Sequence, residues 1–177
     1  PLQLIIADIL CGRQSILPKN ARPNFIQTSD ILKNVVIAVK HAEDENHDEP
    51  WRELVVVGVP GDRVVDMKRL EAQFAPAEIE EATEEDLKKH PELVKGYIGP
   101  MVLGPQARDG KKAENADETG EALRYLLDAH IARGSAWFTG ADEVGVDYYD
   151  LVYGRDFEAD GTVEAVEVRH GDMSPDG

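Results

Sequence analysis

Two short apolar runs limit what this chain can fold into more than any other feature. Val35-Val36-Ile37-Ala38-Val39 and Leu54-Val55-Val56-Val57-Gly58-Val59 are rich in β-branched residues and too short for buried helices. Each predicts a buried strand. Residues 41–50 between them are acidic and close on Pro50, as a solvated loop does. Pro60-Gly61-Asp62 ends the second run with turn chemistry. The two strands are therefore expected to pair as a hairpin with a long connection.

The remaining segments mix helix and strand signals. Met67, Leu70 and Phe74 fall on one face of a helix over residues 66–74. Thr83-Glu84-Glu85-Asp86 has the form of a capping box, and Pro91 stops that second helix near His90. An apolar segment at 123–131 carries Asp128 inside it. Trp137-Phe138 leads into a turn-rich stretch at 139–143, and residues 148–153 and 163–168 read as closing strands. No strict βαβ rhythm is present, which predicts an α+β fold with a mixed β-sheet packed by helices. Residues 106–120 are polar and charged and read as a mobile insertion within the 28–177 domain. Residues 1–27 read as a separate leader: a tag, a junction or a divergent arm.

Composition narrows the function classes. With 177 residues the chain suits one domain, and an apolar fraction of 42% is enough for a core. The single cysteine, Cys11, excludes an internal disulfide. No stretch approaches the roughly 20 apolar residues of a membrane span, so a cytoplasmic chain with no membrane partner is expected. The formal charge of −16 opposes tight intrinsic binding to nucleic acid. The chain does not begin with Met and ends in a turn-forming string, from which we expect a segment of a longer protein.

Lys95-Gly96-Tyr97-Ile98-Gly99-Pro100 is the most informative candidate for chemistry. Glycine lets backbone approach a ligand and proline stiffens the far side, so such a loop can aim N–H groups at a developing oxyanion. Lys33, just before the first apolar run, is a cation placed to hold a phosphate or a carbonyl oxygen. The five histidines form no i,i+4 pair and there is no second cysteine, so no metal motif is read. P-loop, GxGxxG and GxSxG strings are absent. The carboxylates around 142–156 read as a solvated face rather than a glycosidase acid pair.

Several strings then combine in order. They are Ser29-Asp30-Ile31-Leu32-Lys33-Asn34-Val35-Val36, Val57-Gly58-Val59-Pro60-Gly61-Asp62 and Leu93-Val94-Lys95-Gly96-Tyr97-Ile98-Gly99-Pro100. After them come Tyr125-Leu126-Leu127-Asp128, Phe138-Thr139-Gly140-Ala141-Asp142-Glu143, Gly154-Arg155-Asp156-Phe157 and Glu167-Val168-Arg169-His170-Gly171-Asp172, with Ser174-Pro175-Asp176-Gly177 at the end. Over residues 28–177 this set resembles the editing insertion of bacterial-type prolyl-tRNA synthetases. The resemblance implies hydrolysis of alanine wrongly esterified to proline tRNA. It implies a pocket in which Lys33, Gly96, Gly99 and Pro100 serve catalysis. Lys33, Tyr97, Ile98, Asp128 and Asp147 would bind substrate. Asp147 stands where many members carry histidine, and a carboxylate donates no proton at neutral pH unless its pKa is strongly raised. Residues 1–27 match nothing in that family.

The resemblance further implies no cofactor and no metal for editing. ATP with Mg would serve only the parent synthetase. The implied partners are the tRNA(Pro) acceptor end and the remainder of a homodimeric parent in cis. A free-standing trans-editing deacylase and a non-catalytic docking module are the alternative expectations.

Overall fold

The computed structural model describes residues 15–18, 26–109 and 123–172. Its centre is the expected hairpin. Strands β2 (Leu32–His41) and β3 (Trp51–Pro60) pair antiparallel along their whole length, from Leu32 opposite Pro60 to His41 opposite Trp51. Val55, Val56, Val57 and Ile37 are fully buried, because both faces of this hairpin are covered.

Short β1 (Ser15–Pro18) and β4 (Glu78–Glu81), with β5 (Arg124–Asp128), β6 (Ala136–Gly140), β7 (Val146–Val152) and β8 (Gly161–Val163), complete the strands. They form two sheets. The larger runs β4-β2-β3-β5-β8, antiparallel up to β3 and parallel from β3 to β8; the smaller runs β1-β7-β6. This is the expected mixed-sheet α+β architecture. Strand β1 pairs antiparallel with β7, so part of the stretch read as a separate leader joins the smaller sheet.

Side chains alternate across the large sheet and build two cores. Leu32, Val36, Ala38, Val56, Tyr125 and Leu127 face the smaller sheet, where Trp137, Leu151 and Phe157 meet them. Ile37, Val39, Val55, Val57, Val59 and Leu126 face helix α1 (Met67–Phe74) and the segment through Val163, Ala165 and Val166. Asp66 caps α1 by accepting from Lys68 N and Arg69 N, and Leu70 is its fully buried anchor. Burying that side chain contributes about 2 kcal/mol.

Helix α2 (Glu84–Lys89) starts at the predicted capping box. Thr83 N donates to Asp86 Oδ2 at 2.7 Å, and Asp86 N donates to Thr83 Oγ1 at 3.3 Å. Helix α3 (Gly104–Asp109) corrects the start of the expected insertion. Gln106 Nε2 donates to Pro100 O, and its Oε1 accepts from Glu158 N, so residue 106 is fastened rather than looped out. The rest of the expected insertion, 110–120, lies outside the described residues.

Two more boundaries differ from expectation. Residues 139 and 140 belong to β6, and the turn begins only at Ala141. The closing strand expected over 163–168 ends at Val163. The N–H groups of Ala165 and Val166 donate to the Asp128 carboxylate, at 2.8 and 3.1 Å, instead of to a neighbouring strand. Among the described residues, no helix is long and apolar enough to cross a membrane.

Candidate active site

The 96–100 loop lies on the face of the large sheet that looks toward β6. Its carbonyls are held from two elements. Asn34 Nδ2, on β2, donates to Ile98 O at 2.8 Å, and Asp142 N donates to Tyr97 O at 2.9 Å. The Asp142 carboxylate accepts from Gly99 N at 2.7 Å. Asn34 is itself fixed, because Tyr125 OH donates to its Oδ1 at 2.8 Å and its amide reaches Thr139 Oγ1 at 3.3 Å. Burial pushes the Tyr125 phenol well up, so it acts as a neutral donor.

Two glycines let the loop lie directly on β6. A Cβ on Gly99 would run into the Gly140 carbonyl, and one on Gly140 would run into the Tyr97 backbone. Gly96 is different: its φ of +84° needs glycine, but the space around it is open. Tyr97 N donates to Val94 O, and Pro100 has no N–H. Gly96 and Ile98 carry the remaining two N–H groups of the loop.

The other predicted residues fall into two places. Asp147, 2% exposed, pairs with Gly140 in the small sheet, beside the Gly140–Tyr97 contact. The fold thus brings Asp147 and the loop together. Lys33 sits on the opposite face from its neighbour Asn34 and from the 96–100 loop that Asn34 holds, because side chains alternate along β2, so the fold does not bring Lys33 and the loop into the one pocket expected of them. The register partner of Lys33 is Val59; Gly58 pairs with Leu127 one step back, and Asp128 pairs with Val163. Lys33 and Asp128 therefore share a row of the sheet and one face, roughly 10 Å apart across two strand spacings. Lys33 is exposed, and its Nζ donates to Arg63 O at 3.0 Å. No carboxylate pairs with it among the described residues.

Asp128 is 1% exposed and its oxygens are well occupied. Oδ2 accepts from Ala165 N and Val166 N, while Oδ1 accepts from His130 N at 2.9 Å and meets His130 Nδ1 at 2.7 Å. Beside it opens a cavity of about 850 Å³, lined in part by His130, Arg69, Glu164 and Asp172. This cavity lies at the carboxyl end of the parallel strands β5 and β8, where open parallel sheets place their ligands.

An aminoacyl-tRNA editing domain model matches residues 19–146. The chain belongs to this family. As an editing domain it is 89% identical over 151 residues to the proline--tRNA ligase of Bifidobacterium adolescentis, covering 85% of this chain and 25% of that enzyme. It is 77% identical over 151 residues to the ligase of Bifidobacterium longum, covering 85% of the chain and 24% of that enzyme. The match to the ligase of Kineococcus radiotolerans is 49% over 149 residues, covering 84% and 22%. The chain thus spans about a quarter of the curated relatives it matches. The fold is also that of the crystal structure of hypothetical protein APE2540, with a TM-score of 0.52 at 12% identity, covering 93% of this chain and 99% of the other.

Within the editing domain, sequence reasoning missed the residues that hold the loop. Asn34 was legible only as a polar residue next to an apolar strand, and Gly140 and Asp142 only as part of a turn-like string. His130 carried one signal, its spacing of two from Asp128, which suits an Asx turn.

Proposed function

We propose that this editing domain is the hydrolytic segment of a proline--tRNA ligase and cleaves alanine from misacylated tRNA(Pro). The observation that carries this reading is the fastened backbone of residues 96–100, tied by Asn34 and Asp142 and pressed onto Gly140. A loop fixed before substrate arrives can stabilise a tetrahedral oxyanion without reorganising, and Gly96 and Ile98 hold the N–H groups for that role. Gly99 and Pro100 serve by fixing its course. Lys33 carries a positive charge that no carboxylate among the described residues neutralises, and it exchanges Arg63 O for a phosphate or ribose oxygen of the tRNA end. Tyr97, Ile98 and Asp147 border the amino-acid pocket, and Asp128 shapes the neighbouring turn. A tight pocket admits alanine and rejects the proline ring, a discrimination by size. The ester is hydrolysed with no metal or cofactor, and ATP with Mg serves the synthetic site of the ligase. The ligase, a cytoplasmic homodimer, grips the tRNA and delivers its flexible end, which raises the effective concentration at this acidic domain.

The test is deacylation of Ala-tRNA(Pro) by the intact ligase and its Lys33→Ala variant. A lost charged hydrogen bond of about 1.5–3 kcal/mol predicts a ten- to hundredfold slower rate. Prolylation of tRNA should be unchanged. Equal rates, both at background, would favour a non-catalytic module instead.

A further inference from the structure

We propose that His90 is a positioning residue for deacylation: with Glu92 it forms a buried latch that sets the direction of the loop at Gly96. The role rests on the editing reading above. The 96–100 loop is held unevenly. Its far half is tied sideways, through Ile98 O to Asn34 and through Tyr97 O and Gly99 N to Asp142. Its near end is not. Gly96 is exposed, its φ is +84°, and a Cβ there would meet nothing within 4 Å. Packing against described residues therefore does not fix Gly96, and its N–H direction is inherited from the chain that leads into it.

That chain is a run of short turns. His90 ends α2, its N–H donating to Leu87 O at 3.2 Å. Leu93 N donates to His90 O at 2.9 Å, Val94 N to Glu92 O at 3.1 Å and Tyr97 N to Val94 O at 2.8 Å. Lys95 and Gly96 are the central residues of the last turn, and glycine in its third position suits the positive φ. Where that turn points is decided by its base at Val94, and so by residues 90–93.

A side-chain pair roots the turns. His90 Nδ1 lies 3.0 Å from Glu92 Oε1, with only 6% and 8% of the two side chains exposed. A carboxylate oxygen only accepts, so Nδ1 carries the proton between them. Among the described residues, His90 is the side-chain partner of Glu92. Losing that donor would leave a buried charge uncompensated, so the segment keeps the geometry that preserves the bond. Pro91 stands between the two with its φ fixed, which leaves the turn few ways to adjust. Leu93, 3% exposed, plugs the segment into the core that Leu87 and Ile98 also touch. On the outer side Lys95 pairs with Glu84 at 3.2 Å, but both side chains are exposed and the pair contributes little. An apolar pair at 90 and 92 would fill the same space without fixing a direction. What the histidine and glutamate add is the directional bond.

The experiment uses the intact ligase. His90→Leu combined with Glu92→Met removes the bond without stranding a charge, so the melting temperature should stay close to wild type. Deacylation of Ala-tRNA(Pro) should lose about tenfold to hundredfold in kcat, with KM within about twofold, because a misaimed oxyanion donor is felt in the transition state. Prolylation should be unchanged. Hydrogen exchange at the Val94 and Tyr97 amides should quicken about tenfold. His90→Asn, whose amide nitrogen can occupy the Nδ1 position, should restore both kcat and exchange protection. A wild-type kcat in the double variant would overturn the proposal, whatever the exchange shows. So would a loss that His90→Asn does not restore, and so would a double variant that no longer folds, which would mark the pair as a stabilising element instead. A wild-type ligase that leaves Ala-tRNA(Pro) intact would overturn the editing reading, and with it the role of His90 in deacylation.

Discussion

At the scale of single residues, the loop depends on two glycines for different reasons, and this separates their substitutions. Gly96→Ala meets no neighbour and suffers only the strain of its positive φ, about 1 kcal/mol. Gly99→Ala must displace the Gly140 backbone, about 3 kcal/mol, and should take deacylation with it. Thermal melts of the two variants, with Ala-tRNA(Pro) deacylation measured alongside, check the order; a Gly99→Ala protein as stable as Gly96→Ala would refute the glycine–glycine contact. Asn34→Ala leaves both the Tyr125 hydroxyl and Ile98 O without their partner and should cost about 1–3 kcal/mol. Lys33 and the Gly/Pro loop were legible because their residue types are unusual where they stand. Asn34 and Asp142 were not, since an amide and a carboxylate carry no mark of the backbone they will hold across more than 40 residues of chain.

At the scale of elements, α2 is pinned to the hairpin by charge. The Arg52 guanidinium on β3 forks the Asp86 carboxylate, which also closes the capping box. Burial alone would raise the Asp86 carboxyl. The Arg52 fork and the Thr83 donors outweigh it and bring the group from its ordinary 3.8 to about 2. A depressed carboxyl stabilises the fold above its ordinary pKa and loses that contribution as pH falls. About 2 kcal/mol should therefore disappear between pH 4 and pH 2. Acid unfolding followed by circular dichroism should show this loss in wild type, and Asp86→Asn should shrink it. The capping box was readable because it is a local pattern. Strand β4 was not, because three of its four residues are glutamates. It is an edge strand whose Glu80 pairs with Lys40 at 2.6 Å, and edges tolerate charge where centres do not. The early end of β8 was equally hidden, because a side chain 37 residues away, Asp128, supplies the acceptor that a neighbouring strand would have supplied.

At the scale of the whole molecule, the balance of −16 sets how the chain meets RNA. The isolated chain should bind tRNA weakly at about 0.15 M salt, because 35 acidic side chains against 19 basic ones repel the phosphate backbone. Filter binding or fluorescence anisotropy checks this, and submicromolar affinity at that salt would contradict delivery by the ligase. The α+β class and the central hairpin followed from composition and residue pattern. The parallel half of the sheet did not, since nothing in residues 54–59 states which later segment will lie beside them.

That parallel half also sets an order of assembly. Strands β4, β2 and β3 pair among near neighbours in the chain, whereas the far side of β3 has no partner until Arg124–Asp128 has been made. On the ribosome, strand β3, buried from Leu54 to Pro60 in the folded protein, therefore waits with one flank open for several seconds of synthesis. A nascent chain halted before residue 124 should be the species most prone to stick to its neighbours and most in need of a chaperone.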